Sequence, residues 1–321
     1  MARVDRRSFI QGTAKAAMVS TVIPLNFLSR AVAPPAPRRM TMTLSCGAIG
    51  VAANQREAVE LASRHGFESV EVDASYLASL SGDQLAEFLT YMKSKNISFG
   101  AAGLPVEFRQ DEGKFNDGMK RLPNIAAALA RAGVSRVSTW IMPCHDSLTY
   151  VGNFRQHTAR LREVARILAD QQIRLGLEYV GAKTLWTSKR YPFLHTMAEM
   201  KDLIGEMGSR NVGFLLDSFH WWNAGETEKD ILSLGPEQVV SVDLNDAPAG
   251  IPKEQQVDGR RELPCATGVI PVAEFLNALN QIGYDGPVRA EPFNKAVNAL
   301  PKEEACAVAA KSLKQAFSLI K

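Results

Sequence analysis

The sequence contains few cysteines and no motif that would organise them into a metal or redox site. Its four cysteines, at positions 46, 144, 265 and 306, have neither CxxC nor zinc-finger spacing. No glycine-rich phosphate fingerprint opens a helix, which disfavours a dinucleotide-binding fold. Solenoid-length repeats and low-complexity tracts are also missing, so the pattern favours a globular core that needs no disulfides.

The sequence also has little excess charge once its first 33 residues are considered separately. The whole chain has 37 Lys and Arg residues against 34 Asp and Glu residues. The first 33 residues hold five of the basic and one of the acidic residues, which leaves 32 basic against 33 acidic residues in the remainder. A basic excess is typical of nucleic-acid-binding proteins. We therefore predict no nucleic-acid partner.

The first 33 residues have the pattern of a twin-arginine signal peptide. Arg6 and Arg7 lie in a charged segment, and a mildly apolar stretch follows over residues 14–28. That stretch is too short and too interrupted to span a bilayer. We predict a signal peptide over 1–33, a linker over 34–41 and one domain over 42–321. The twin-arginine machinery would then export the protein to the periplasm or otherwise out of the cytoplasm.

From residue 42 onward, short apolar runs alternate with longer amphipathic ones. We predict strands over residues 43–49, 69–72, 98–103, 135–141, 174–179, 212–216, 239–244 and 288–290. We predict helices that begin at the Asn54 capping box and at residues 81, 115, 154, 197, 226, 271 and 302. Eight strand–helix pairs predict one (β/α)₈ TIM barrel. The stretch 246–268 has neither period and predicts a functional loop.

Acidic residues recur at the predicted strand ends, where a (β/α)₈ barrel carries its active face. These residues are Glu71, Glu178, Asp217, Asp243 and Glu291. A carboxylate on a buried strand is costly unless it meets a cation or good donors. Several converging carboxylates favour a divalent metal ion, although each one alone is equally compatible with a helix cap or an arginine partner.

Six segments, taken in order, resemble the xylose isomerase-like barrel superfamily, in the branch of sugar phosphate isomerases/epimerases and inosose dehydratases. They are Gly-Phe-Glu-Ser-Val-Glu at 66–71, Leu-Glu-Tyr-Val-Gly at 177–181, Leu-Asp-Ser-Phe-His-Trp at 216–221, Asp-Leu-Asn-Asp at 243–246, Arg-Glu-Leu-Pro at 261–264 and Arg-Ala-Glu-Pro at 289–292. Each segment alone is weakly specific, but together they span most of residues 42–321.

The resemblance implies a metal site. It implies that Glu178, Asp217 and Glu291 are metal ligands and that Glu178 and Glu291 also move the substrate protons. Relatives commonly have a histidine on the seventh strand, where this sequence has Asp243. We predict Asp243 as a fourth ligand, which makes the site richer in oxygen. The expected metal is Mn²⁺, Mg²⁺ or Co²⁺, with Zn²⁺ as an alternative.

The substrate contacts are also expectations. The resemblance implies that His220 and Arg261 contact the substrate. Glu71 and His145, which lie at or just after predicted strands, complete the predicted substrate-binding set.

The function that follows is metal-dependent isomerisation or epimerisation of a sugar or keto-sugar, by proton transfer next to a carbonyl. A lyase or dehydratase that acts by β-elimination on a keto-sugar, cyclitol or oxidised glycoside is the alternative. A non-catalytic sugar-binding barrel and a DNA-repair endonuclease of the same superfamily are weaker alternatives. The sequence leaves a homo-oligomer open.

Overall fold

The computed structural model describes residues 38–321, where eight parallel strands close into a barrel. The predicted signal peptide over 1–33 lies outside the described residues. The strands are β1 Thr41–Leu44, β2 Ser69–Val72, β3 Ser98–Gly103, β4 Arg136–Trp140, β5 Arg174–Glu178, β6 Val212–Asp217, β7 Val239–Leu244 and β8 Pro287–Ala290. Each strand pairs with its neighbours in chain order, and β1 pairs with β8. The predicted (β/α)₈ TIM barrel is confirmed.

A helix follows each strand on the outside of the barrel. These helices are α1 Gln55–His65, α2 Gly82–Ser94, α3 Glu112–Arg131, α4 Tyr150–Ala169, α5 Met197–Met207, α6 Glu228–Leu232, α7 Val272–Gln281 and α8 Lys302–Phe317. The capping box predicted at Asn54 is present, because its side chain accepts from the amide of Glu57 at 3.0 Å. Gly66, Gly133 and Gly283 follow α1, α3 and α7 with φ values of 75°, 77° and 80°, as left-handed helix ends require.

The first strand is the clearest difference from the prediction. The predicted strand over 43–49 is wrong beyond Leu44, because Gly47–Ile49 forms a 3₁₀ turn. The turn ends at Gly50, which has φ +73°. A Cβ atom there would lie 2.7 Å from the Cα of Asn298, so glycine is required both for its conformation and for the close approach.

Within the described part of the chain, four short α-helices and one two-residue ladder lie in the loops. The helices are Ala74–Ser79, Lys183–Trp186, Ser218–Asn223 and Lys295–Asn298, and the ladder pairs Cys144–His145 with Tyr191–Pro192. None of these elements is long enough to show a sequence period, so the sequence does not predict them. Within residues 38–321, helices that are both long and apolar enough to cross a membrane are absent.

The partly buried carboxyl group of Glu226 makes a testable contribution to stability. Glu226 accepts hydrogen bonds from the hydroxyl of Tyr179 and from the amide of Met197, the latter at 2.6 Å. Burial nevertheless raises the pKa of Glu226 to about 7. The folded protein therefore holds this proton more tightly than the unfolded chain, and the contribution of Glu226 to stability falls as the pH rises from about 4.5 to about 7.

Over this pH range we expect Glu226 to lower the free energy of unfolding by about 2 kcal/mol. The effect is smaller than the full pKa shift implies, because part of the side chain is exposed to water. The variant Glu226→Gln should not show this loss. Urea unfolding at pH 5 and pH 7.5 measures it, with the exposed Glu228→Gln as the matched control. Equal pH dependence in wild type and Glu226→Gln would contradict the assignment.

Candidate active site

The strand register brings charged residues side by side at the C-terminal end of the barrel. Asp217 of β6 lies opposite Asp243 of β7. Asp243 in turn lies opposite Arg289 of β8. Glu178 is the last residue of β5 and lies opposite Trp140 of β4. Because like charges on neighbouring strands repel, this register requires positive partners.

Four carboxylates converge at this position. One oxygen each of Glu178, Asp217, Asp243 and Glu291 lies within 4.8 Å of the others. Glu178 is 6% exposed, and Asp217 and Asp243 are each 1% exposed. His220 forms a second group of potential metal ligands with Glu178 and Asp217. The structure therefore brings together all four acids that the sequence predicts as ligands.

A cavity of about 430 Å³ opens above this cluster. Five of the predicted site residues line it, namely Glu71, Glu178, His220, Arg261 and Glu291. Its lining also includes Asp258 and Arg289, which the sequence analysis did not single out, and the aromatic rings of Trp140 and Phe293.

His145 is not among the residues that line this cavity, and its role as a substrate contact stays a prediction. Its backbone pairs with Tyr191 in the two-residue ladder. Its Nδ1 accepts hydrogen bonds from the amides of Ser147 at 3.0 Å and Leu148 at 2.8 Å. His145 therefore organises the turn that follows β4.

Asp217 is held by donors from three directions. Its Oδ1 accepts from the amides of Phe219 at 2.6 Å and His220 at 3.3 Å, so it caps the helix Ser218–Asn223. Its Oδ2 accepts from the side-chain amide of Asn245 at 3.0 Å. That helix lies against Gly181, where a Cβ atom would be 2.4 Å from the carbonyl oxygen of His220. The glycine therefore lets the helix approach β5.

Arg261 reaches the cluster from the loop between β7 and α7. Its Nη1 donates to Asp217 Oδ2 at 2.7 Å and to Glu291 Oε2 at 3.2 Å. Its Nη2 donates to Asp258 Oδ1 at 2.7 Å and contacts His220 Nε2 at 3.0 Å. Because Arg261 has only donors, His220 must accept at Nε2, and burial, which lowers the pKa of His220, favours the neutral imidazole that this requires.

Asp246 holds together the two ends of the loop that carries Arg261. The backbones of Asp246 and Glu262 exchange two hydrogen bonds, at 2.9 and 2.8 Å. The carboxylate of Asp246 accepts from the amides of Thr267 at 2.9 Å and Gly268 at 2.8 Å. Asp246 is thus a structural residue.

Arg289 is the second cation of the cluster, and it is anchored in β8. Its Nε and Nη2 donate to the two carboxylate oxygens of Asp243 at 2.6 and 2.9 Å. Its Nη1 donates to Glu71 Oε1 at 2.7 Å, and its Nη2 also contacts Glu291 Oε1 at 3.2 Å. Arg289 therefore links three acids from three parts of the barrel.

Two of the carboxyl groups hold their protons unusually tightly. Burial raises the pKa of Glu178 well above its usual range, and the charges of Asp217, Glu291 and Asp243 raise it further. Burial and the charge of Asp243 raise the pKa of Glu291 to about 8, against the opposing effect of Arg289 and Arg261. A group with a pKa of about 8, such as Glu291, exchanges protons near neutral pH.

The donor set fits a divalent cation. Within residues 38–321, Glu178 Oε1 is buried and has no hydrogen-bond partner, and it belongs to the four-carboxylate cluster. The acids Glu71, Glu178, Asp217, Asp243, Asp258 and Glu291 outnumber the cations Arg261 and Arg289. Oxygen-rich sites with excess negative charge suit hard divalent cations.

Two of the three site residues that were not predicted have a recognisable spacing in the sequence. Arg289 lies two residues before Glu291, and Asn245 lies two residues after Asp243. Side chains two apart on a strand share a face, so this spacing points Arg289 and Asn245 toward the same side as the acids. Asp258 lies in a loop without a period and offers no such signal.

Comparisons with known proteins agree with this fold. The sequence profile of a family described as "Xylose isomerase-like TIM barrel" matches residues 59–316. An inosose isomerase of Bacillus velezensis is 22% identical over 254 residues, which are 78% of this chain and 88% of that protein. A D-psicose 3-epimerase of Enterocloster bolteae is 24% identical over 257 residues, which are 75% of this chain and 77% of that protein.

Solved structures give the same result. A xylose isomerase domain protein from Alicyclobacillus acidocaldarius is 31% identical, with a TM-score of 0.77 over 87% of this chain and 99% of that chain. An IOLI protein with a bound zinc atom is 22% identical, with a TM-score of 0.71 over 87% of this chain and 98% of that chain. By sequence, a 3-dehydroshikimate dehydratase of Pseudomonas aeruginosa is 28% identical over 143 residues, which are 44% of this chain and 21% of that protein.

Proposed function

Because the chain belongs to the xylose isomerase-like TIM barrel family, we propose that it is a metal-dependent isomerase or epimerase of a sugar or keto-sugar. The observation that carries the proposal is the pair of proton-holding carboxyl groups, Glu178 and Glu291, beside a cation-binding cluster. The reaction would move a proton on the carbon next to the substrate carbonyl.

Glu178, Asp217 and Glu291 would hold the cation, with Asp243 as the fourth carboxylate of the cluster. Mn²⁺, Mg²⁺ or Co²⁺ suits these oxygen donors, and Zn²⁺ is the alternative. When bound, such a cation acts as a Lewis acid that polarises the substrate carbonyl and makes the neighbouring C–H bond more acidic.

Glu178 and Glu291 then divide the proton transfer between them. Because the two carboxyl groups interact, loss of the first proton makes the second one harder to lose. The reaction needs one of the two groups as the ionised base and the other as the protonated acid. The ionised group takes a proton from the substrate carbon. The protonated group returns one to the opposite face for epimerisation, or to the adjacent carbon for isomerisation.

The charge of the site supports an uncharged substrate. Arg109 lines the cavity, but its charge is already matched by a two-point ion pair with Glu107, at 3.0 Å to each oxygen. The cavity and the cluster together hold six acids, namely Glu71, Glu178, Asp217, Asp243, Asp258 and Glu291, which outnumber the four positive charges of Arg261, Arg289 and one divalent cation. A phosphate or carboxylate on the substrate would therefore be repelled, whereas a neutral sugar ring could stack on Trp140 or Phe293.

Deuterium exchange tests the reaction. The purified protein is loaded with Mn²⁺ and incubated with neutral ketoses and inososes in D₂O, and proton NMR follows the signals next to the carbonyl. We expect exchange of one carbon-bound proton, formation of an epimer or isomer, and loss of both after EDTA treatment. Full turnover by the metal-free protein would overturn the metal-dependent mechanism.

The same spectra distinguish the alternatives. A lyase or dehydratase, which the similarity to a dehydratase favours as the second candidate, removes a hydroxyl or glycosyl group and gives a new vinyl proton signal. A non-catalytic sugar-binding barrel would bind a ketose without any exchange, and isothermal titration would detect that binding.

We also propose export by the twin-arginine pathway, on the pattern of Arg6 and Arg7. Cell fractionation tests this proposal. The double substitution Arg6→Lys/Arg7→Lys should keep the protein in the cytoplasm, while the wild type should be recovered outside it. Equal distribution of the two proteins would contradict export by this route.

A further inference from the structure

Asp243 differs from the other carboxylates of the cluster because one guanidinium group pairs with both of its oxygens. Arg289 faces both of its oxygens with two parallel N–H donors, at 2.6 and 2.9 Å. The two residues are direct partners in the register of β7 and β8. Asp243 is 1% exposed, so water contributes nothing appreciable to its solvation. A two-point guanidinium–carboxylate pair of this kind is the most specific arrangement available to these two groups.

The position of Arg289 is fixed by further contacts. Its remaining nitrogen, Nη1, donates to Glu71 Oε1 at 2.7 Å. Glu71 also accepts a hydrogen bond from the hydroxyl of Ser45, just after β1. Arg289 is therefore held by strands on both sides of β8, and moving it away from Asp243 would break several charged contacts at once.

Arg261 provides the contrast. It reaches Asp217 and Glu291 through the single nitrogen Nη1, at 2.7 and 3.2 Å, and it approaches from a loop. Neither carboxylate has both oxygens paired with one guanidinium, because Asp217 Oδ1 accepts only from backbone amides and Glu291 Oε1 has the longer contact with Arg289 at 3.2 Å. Either can therefore keep its contact with Arg261 or exchange it for a cation. Asp243 has no such freedom, because a cation that approached its oxygens would meet the guanidinium of Arg289.

We propose that Arg289 and Asp243 form a fixed ion pair that takes Asp243 out of the metal's ligand set. The cation would then be held by Glu178, Asp217 and Glu291, and Arg289 would be a second positive centre in the cavity wall, able to donate to a substrate oxygen. Its side chain is 22% exposed and lines the cavity, so a substrate can reach it. This inference rests on the proposed metal-dependent function.

Metal binding to a charge-neutral double variant tests the inference. The variant Asp243→Asn/Arg289→Met removes one negative and one positive charge together, so the net charge of the site does not change. If Asp243 is not a ligand, the dissociation constant for Mn²⁺ should stay within about threefold of the wild-type value by isothermal titration. If Asp243 is a ligand, the loss should be at least about tenfold.

The single variants and a spectrum complete the experiment. We expect Arg289→Met to bind Mn²⁺ at least about tenfold more tightly, because it leaves the charge of Asp243 uncompensated. At saturating Co²⁺, the visible absorption of Asp243→Asn should match the wild type, since a ligand change alters the spectrum whereas a change of nearby charge alters mainly the affinity. This spectrum decides the question even if the double variant does not fold.

The outcomes separate the two proposals. Wild-type binding with a tenfold loss in the double variant, or a changed Co²⁺ spectrum in Asp243→Asn, would overturn the inference and leave the proposed function intact. Failure of the wild type to bind either metal would overturn the metal-dependent function, and the inference with it.

Discussion

The substitution Glu178→Gln is expected to lower kcat by about 10³-fold while KM changes only a few-fold. Glutamine keeps the shape of the side chain and its place at the end of β5, but it can neither take nor return a proton. Glu178 Oε1 is buried and has no hydrogen-bond partner within residues 38–321. The substitution at this atom therefore breaks no hydrogen bond that stabilises the fold. Steady-state kinetics on the ketose identified by deuterium exchange measures the effect.

The matched control is Glu226→Gln, which changes a second buried acid that does not belong to the cluster. Its kcat at pH 7 should remain within about threefold of the wild type. Circular dichroism confirms that both variants fold. If Glu178→Gln kept more than a tenth of the wild-type kcat, Glu178 would not be the acid or base of the reaction.

The second large effect concerns stability. We expect Arg261→Met to lower the free energy of unfolding by roughly 3–5 kcal/mol, because it leaves several buried carboxylates without their cation. Arg261 is 1% exposed and forms ion pairs with Asp217, Asp258 and Glu291. For a domain of this size the loss corresponds to a fall in Tm of about 10 °C, which differential scanning calorimetry measures.

Two comparisons make this stability prediction specific. Arg260 is exposed, so Arg260→Met removes the same charge without emptying a buried network and should leave Tm nearly unchanged. The loss in Arg261→Met should also be smaller at pH 6 than at pH 9, because Glu291, with a pKa of about 8, then binds a proton and no longer needs a cation. If Arg261→Met had the same Tm as the wild type at pH 7, Arg261 would not stabilise the buried carboxylates as proposed.

The barrel was predictable because its signals are local and repeated. The bounds of β2, β3 and β7 agree with the predicted strands over 69–72, 98–103 and 239–244. A buried parallel strand is a short apolar run, and a helix of eleven or more residues shows its period. The 3₁₀ turn Gly47–Ile49 was not predictable, because the apolar pattern continues past Leu44 although the backbone does not.

The acids of the site were predictable for a related reason, whereas Arg289 is indicated only by its spacing from Glu291. Glu178 and Asp217 each end an apolar strand, so a charge stands out there. Arg289 lies inside β8, where a single charged residue resembles one that faces the helices outside the barrel. His145 follows β4 in the chain, but its backbone pairs with Tyr191 and it is not among the residues that line the cavity.

The bridge between Asp246 and Glu262 has a consequence for how this protein can change. Because the bridge brings the two ends of the stretch 247–261 to one point, insertions or deletions within that stretch leave β7 and the following helix where they are. Lengthening such a closed stretch is thermodynamically inexpensive, since each doubling costs only about 0.6 kcal/mol. Arg261 lies next to the bridge and keeps its place. The length of this stretch can therefore change without disturbing the barrel, provided that Arg261 is retained.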